Sequence, residues 1–593
     1  MSRPRRALPV LLALGLALPA AAQVAAPVRP EWVAASDRNA RVLLDVMASF
    51  SPEGAGQLGV EGLEEEILDL RPRLDERRKK AFETAVKTLE ARISAEKEPR
   101  VAEDLRLLVA AGREALRSLE TSRTHQLPYT DVGLVVVTGL RGLLEEPNSL
   151  DRDAQALTRL RKYAGLEGGK EARSLPRLAE DRIAERLSLS TLSGPPRDQL
   201  ERSLAATPQM LAAVSALFQR RPITGWQEAV EALRKEMGRY DAFLREKVLP
   251  RARTDYRLPE AVYVQSLRQN GVLAPPDELA KSGRAAYGVA RKQMEEMAAR
   301  VAKENGISGG TAAVFAALRA RRVSGNAVVP HYKKRIGELD EILRKAKFVT
   351  VPAREVRIRT VAEQQGVPVP APYMQLPRLV GNTGETGDLV LPLALENDDS
   401  ISRGADFTYE AATWTLAALE ARPGHELQYA AFVNGGVSLA RAVFGYNTVT
   451  AMGWALYAEG EIRKDFPLEG QLVSLQLSAL RAARAFLEPA LHAGTLKPAE
   501  VEKLLVDELH VSPALAAQEV SRYAFRSPGQ APAYLYSLER FREIRRTAET
   551  LLGPRFDAQR FHDFVLAQGL LPPDALKRAV VDVFVPMEKA PAR

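Results

Sequence analysis

The sequence predicts a mainly α-helical protein interrupted by one small β insertion. Apolar residues recur at three- and four-residue intervals through most of the chain, the spacing of a helix with one buried stripe. One stretch, around 347–400, alternates apolar and charged residues instead, as strands do. Cysteine is absent from all 593 residues, so the fold rests on an apolar core, with no disulfide and no thiolate metal site. Hydrophobic residues are 46% and charged residues 27%, a globular balance that excludes a mainly disordered, collagen-like or coiled-coil chain. The formal net charge of +8 is small for this length and unclustered, so no nucleic-acid partner is expected.

Residues 1–22 read MSRPRRALPVLLALGLALPAAA. Basic Arg3, Arg5 and Arg6, an apolar run from Ala7 to Leu18 and the small residues Ala20-Ala21-Ala22 are the parts of a secretory signal peptide cleaved after Ala22. The run is shorter than the ~20 residues that span a bilayer. After its removal no membrane span is expected, and no cysteine follows to take a bacterial lipid anchor. The mature protein is expected to be exported, to the periplasm in a host with two membranes.

Residues 23–35, rich in Ala, Pro and Val, read as a flexible lead-in. A helical region follows over 36–345. Phe82, Val86, Leu89 and Ile93 form one helical stripe, and Leu105, Leu108, Val109, Leu116 and Leu119 another. The mixed-charge run Arg71 to Lys80 reads as a solvated helix face. Breaks fall at Gly194-Pro195-Pro196, Pro275-Pro276 and Ser308-Gly309-Gly310.

Residues 346–400 form the insertion. Val356, Ile358 and Thr360 alternate with Arg357 and Arg359, and Asp388-Leu389-Val390-Leu391 is a second strand candidate. GNTGETGD, 381–388, lacks the Lys and hydroxyl residue of a phosphate loop. Asn397-Asp398-Asp399 reads as an exposed turn more than a cation site. Helices resume in 401–593, where Leu551-Leu552-Gly553-Pro554 marks a helix stop.

Four ordered stretches in this last region are informative: TWTLAALEARPGHELQ (413–428), TAMGWALYAE (450–459), RYAFRSPGQAPAY (522–534) and FDAQRFHD (556–563). Together with SPEGAGQLG (51–59) and APPDELAKSG (274–283), they resemble the bacterial family called domain of unknown function 885. That family is similar to helical zinc metallopeptidases of the carboxypeptidase Taq group. The resemblance implies a first motif of the form H-E-x-x-P-G-H, with two zinc-binding histidines and a general-base Glu, and a second, E-G-W-A-L-Y-x-E, whose first Glu is the third ligand. In this chain Leu419 stands at the first His, Glu420 at the general base, His425 at the second His and Met452 at the ligand Glu. The scaffold Gly453-Trp454-Ala455-Leu456-Tyr457 is intact. From the third motif the resemblance implies that Arg522, Tyr523, Gln530 and Tyr534 bind a substrate carboxylate or stabilise an oxyanion. Arg suits a carboxylate because its planar fork pairs bidentately. A structural Arg paired across helices fits the same residue.

Catalytic zinc takes about three ligands from His, Asp or Glu plus an open position. Leu is no ligand, and a Met thioether is a poor one for this metal. Periodicity places Ala412, Leu416 and Leu419 on one apolar stripe and Val449, Met452 and Leu456 on another. The expectation is a pseudo-peptidase: an exported, metallopeptidase-like protein without zinc or another cofactor, open to a peptide or protein partner, with Glu420 and His425 as remnants. The alternative is an active zinc hydrolase with rearranged ligands drawn from His425, Glu426, Glu420 and Glu459, with His492 or His562 from elsewhere. A metal-free acid–base pair of Glu420 and His425 is disfavoured, since five residues on a straight helix set them roughly 140° apart.

Overall fold

The computed structural model describes residues 30–145, 150–169, 172–362, 371–380, 382, 384–393, 406–434 and 436–590. The leader 1–22, the lead-in up to residue 29 and Asn397-Asp398-Asp399 lie outside them.

The chain is mainly helical, as expected. Its first helix, α1, spans Glu31–Phe50, so helical structure begins inside the stretch read as a flexible lead-in. Packing explains the difference. Val33 is fully buried, and the Trp32 ring carries the guanidiniums of Arg100 and Arg441 at 4.8 and 5.0 Å. Helices α2 (Leu74–Ile93) and α3 (Pro99–His125) lie against one another. Val86 and Leu89 from the first, and Leu105 and Leu108 from the second, share one core cluster with Leu43 and Leu44 of α1. Then come α4 (Leu175–Ala184), α5 (Glu260–Gln269), α6 (Pro276–Asn305) and α7 (Val328–Ala346). The proline pair 275–276 starts α6 rather than merely breaking the chain: Pro276 sits at its first position, where no N–H is needed.

The insertion is a three-stranded sheet of order β1-β3-β2, built from β1 (Ile358–Ala362), β2 (Tyr373–Gln375) and β3 (Asp388–Leu393). β1 runs parallel to β3, with Thr360 opposite Leu391, and β2 runs antiparallel to it, with Met374 opposite Leu389. Leu389 and Leu391 enter the large core cluster that also holds Trp414, Leu419, Trp454 and Tyr457. The sheet is therefore a wall of the motif-bearing core.

That core draws on α8 (Ala412–Glu420), α9 (His425–Asn434), α10 (Thr448–Ile462), α13 (Ala533–Leu552) and α14 (Ala558–Ala567), whereas α11 (Leu468–His492) and α12 (Pro513–Ser521) pack with α6 in an adjoining cluster. The helix stop read at Gly553 is where α13 ends. α6 runs along α11, and Gly283 permits the close approach: a Cβ there would meet Ala485 Cβ at 2.8 Å. The two helical regions are tied at Asp104 of α3. This fully buried carboxylate accepts from Ser36 (2.5 Å), Ser438 (2.6 Å) and Arg441 Nε (2.7 Å).

Candidate functional site

α8 ends at Glu420, and after a short turn containing a cis Arg422–Pro423 bond the chain starts α9 at His425. Gly424 makes this turn possible. A Cβ at that position would meet the Leu419 carbonyl oxygen at 1.8 Å. The turn is held by Arg422, whose side chain is buried. Its Nε donates to Glu426 (3.0 Å), Nη1 to Asp340 (3.0 Å) and Nη2 to the Arg354 carbonyl (2.6 Å). Glu426 also pairs with Arg354.

Leu419 is buried in the large core cluster, and Met452 of α10 packs against the same cluster. The periodicity reading of both as core side chains holds. Glu420 accepts a hydrogen bond from the Met374 backbone N–H of β2 at 3.0 Å. Burial pushes its carboxyl up to about 7, against the lowering effects of that N–H and of Arg481. The β insertion thus orients Glu420, a link that no spacing in the sequence carries.

His425 is almost fully buried. Gln428 fixes its tautomer. The Gln428 amide nitrogen donates to the Thr450 carbonyl (3.3 Å), so its oxygen accepts from His425 Nδ1 at 3.1 Å. Nε2 is left as a bare lone pair, buried and with no hydrogen-bond partner. Burial depresses this imidazole to about 4, so it is neutral at ordinary pH. A neutral imidazole with its lone pair free is the form that binds metal.

The other candidates are committed elsewhere. Glu459 accepts from Thr415 (2.9 Å), from Ser474 and from Arg481 (3.2 Å). His492 accepts from the Leu258 N–H through Nδ1 (3.2 Å) and donates from Nε2 to the Tyr523 carbonyl (3.0 Å). His562 donates from Nδ1 to the Phe348 carbonyl (2.6 Å) and accepts from the Tyr457 hydroxyl at Nε2 (2.8 Å). Both imidazoles therefore use both nitrogens to join chain segments. Among the described residues no three His, Asp or Glu side chains form a group that could hold a metal ion. The residues at the positions where the resemblance implies zinc do not fit it: His425 is the one imidazole, stacked on Tyr429, and the other two positions hold Leu419 and Met452 in or against the apolar core.

The third motif is brought together. Arg522 donates from Nε to Gln530 (3.1 Å) and from Nη1 to Glu519 (3.1 Å), and its guanidinium lies 5.2 Å from the Tyr534 ring centre. Arg484 covers that ring at 4.9 Å and makes a two-bond pair with Glu519 at 2.7 and 2.8 Å. The Tyr523 hydroxyl donates to Glu519 at 2.7 Å. Burial raises Glu519, but Arg484 and Arg522 outweigh it and hold the carboxyl down to about 2. Nη2 of Arg522 is buried without a hydrogen-bond partner. Glu488 of α11 anchors the loop beneath, accepting from the backbone of Gly529 (2.6 Å) and Ala531 (3.3 Å). Glu488, Glu519, Arg481 and Arg484 were not singled out from the sequence. Their only signal there is charge on an otherwise apolar helical face.

The remaining motif residues lock these pieces in place. Trp454 Nε1 donates to the Pro423 carbonyl at 2.8 Å, joining the second motif to the first. Asp563 of the fourth motif accepts from Thr350 N (2.9 Å) and Oγ1 (2.6 Å), next to the Phe348 carbonyl held by His562.

Comparison with known proteins accords with this architecture. The family model described as "Bacterial protein of unknown function (DUF885)" matches residues 52–580. A solved structure of a candidate lipoprotein from Colwellia psychrerythraea superposes with a TM-score of 0.73 at 15% identity, covering 94% of this chain and 100% of that one. A candidate lipoprotein of unknown function from Shewanella oneidensis gives 0.71 at 17% identity, over 92% and 99%. At such identities the likeness shows the fold alone. No curated protein matches the chain. With its model covering most of the sequence, the chain belongs to the DUF885 family.

Proposed function

We propose that this family member is an exported peptide-binding protein on a metallopeptidase-like helical core, in which apolar side chains have replaced the zinc ligands. The observation that carries the reading is His425. Its Nε2 lone pair is buried, preset by Gln428 and unused, in the motif whose other ligand positions are Leu419 and Met452. Leaving a buried acceptor unpaired costs free energy, so the arrangement is best understood as inherited from a metal-binding ancestor. Without a metal, water beside Glu420 keeps its ordinary pKa and the largest hydrolytic lever is missing. The third motif retains a cationic group with a free donor, Arg522 Nη2, beside Gln530 and Tyr534; a peptide carboxylate is the chemistry it suits. The basic and apolar leader supports export, and the description of two structural neighbours as candidate lipoproteins supports an envelope address. No helix of the described residues is long and apolar enough to cross a membrane.

The test is zinc content and peptide cleavage by the purified mature protein, together with peptide binding by Arg522→Ala. The reading expects no stoichiometric zinc, no cleavage, and weaker binding by a variant that still unfolds cooperatively. Zinc that survives dialysis at one per chain contradicts it. Glu426 and Glu459, the carboxylates of a rearranged ligand set, are each paired with arginine, which leaves that alternative without a supporting observation.

A further inference from the structure

A cavity of about 680 Å³ opens between α2, α3, α4 and α5 and shares no wall with Leu419 or Met452. This volume suits a small organic molecule. Five guanidiniums line it, from Arg78, Arg123, Arg182, Arg186 and Arg253, against one carboxylate, Asp75. Asp75 is already paired with Arg182 at 2.8 Å. Arg253 is engaged by the Ala524 carbonyl at 3.0 Å, and Arg186 donates to the Arg123 carbonyl at 2.5 Å.

Arg78 is different. It belongs to the run Arg71 to Lys80 that reads as a solvated face, yet it turns into the cavity. No carboxylate among the described residues pairs with it, and its Nε is buried without a hydrogen-bond partner. Its guanidinium rests 5.7 Å from the Phe50 ring centre. Burial first, and then the Arg182 charge, hold its pKa below the ordinary arginine value, though arginine remains a cation throughout. Asp75 and Asp69 act on it only at a distance and do not offset these two effects, so a cation partly removed from water is left without a direct ion pair. A cleft lined by one sign of charge also concentrates ions of the other. Elsewhere the wall is mixed: Leu70, Leu74, Phe82, Leu119 and Val262 supply apolar surface among Ser118, Ser122, Gln126 and Thr130.

We propose that this cavity binds a small amphipathic anion, its carboxylate or phosphate head set against Arg78 and Arg182 and its apolar body on Leu74, Phe82 and Val262. The inference is independent of the zinc question: Leu419, His425 and Met452 do not line the cavity, and of the four motifs only the third reaches it, through Phe525 and Pro528.

The test is calorimetric titration of the mature protein with decanoate, decyl phosphate and decanol, each kept below its micelle concentration. Both anions are expected to bind at least tenfold more tightly than decanol, with an affinity that falls as salt rises; their ratio identifies the preferred head group. Arg78→Leu is expected to bring the anions to the decanol level and leave decanol unchanged. Ala115→Trp, which fills the cavity from α3, is expected to abolish binding of all three. Circular dichroism melting checks that the variants fold, and Arg78→Gln replaces Arg78→Leu if the latter does not. Decanol binding as tightly as the anions, no binding of either anion, or anion affinity unchanged in the folded Arg78 variant overturns the proposal.

Discussion

Around the four motifs, three buried carboxylates meet their cations. Glu426 has Arg422 and Arg354, Glu459 has Arg481, and Glu519 has Arg484 and Arg522. In the cavity lined by Arg78 the balance is reversed, with five guanidiniums for one carboxylate. In the first arrangement these charges neutralise each other, and Arg522 Nη2 and His425 Nε2 are polar atoms left over. The second is open, with charge left over. A strong sequence signature thus marks a region that the structure has largely packed, with Arg522 Nη2 as its spare donor, and an ordinary charge run marks one where several cations share a cavity.

The sharpest way to break this comparison is to open the packed region. Arg422→Ala removes the partner that Glu426 and Asp340 share, leaving them Arg354 and Arg344; removing one member of a buried pair costs about 3–5 kcal/mol, and the remaining arginines set the loss at the lower end. Urea unfolding measures it; a loss below about 1 kcal/mol contradicts the role given to Arg422. Acid is the next lever. Burial depresses His562 to about 4 from an ordinary value of 6.5. Its folded form therefore resists the proton that the unfolded chain accepts. Stability is full above pH 6.5 and falls as pH drops from 6.5 toward 4. The cost is roughly 2–3 kcal/mol at the acid end. His425 and His492, depressed by burial in the same sense, share that slope, so His562→Asn is expected to make it shallower without abolishing it, and an unchanged slope contradicts the assignment.

The smallest effect belongs to the open region. Arg78→Leu removes an unpaired charge, so its stability is expected within about 0.5 kcal/mol of the parent. A larger loss in urea unfolding means that Arg78 has a structural partner after all.

Much of the fold was legible because helical stripes are local. Phe82, Val86, Leu89 and Ile93 need only one helix to explain them, and Gly553-Pro554 stops α13 where it reads as a stop. Strand β2 was not legible. Tyr373–Gln375 is three residues long, too short to show alternation, and it forms by pairing with β3. The site was legible in its motif residues but not in their partners. That Met374 reaches Glu420, or that Glu519 gathers Arg484, Arg522 and Tyr523, depends on contacts between elements distant in sequence or on helix packing. Arg78 was misleading for the same reason. Its charged neighbours suggest solvent, and only the packing of α2 against α3 and α4 turns it inward.

The most direct measurement of the central claim restores the two apolar positions. Leu419→His with Met452→Glu places an imidazole and a carboxylate at the two positions that the proposed reading pairs with His425. Zinc by mass spectrometry and melting with and without added metal are compared for the parent, each single variant and the double variant. The account predicts a parent without stoichiometric zinc and single variants that gain little. It predicts a double variant that melts lower as apoprotein, by an amount corresponding to roughly 1–3 kcal/mol for polar groups placed in an apolar pocket. That double variant takes up one zinc and regains its melting temperature when the metal is supplied. A parent that already holds tight zinc, or a folded double variant indifferent to it, contradicts the account.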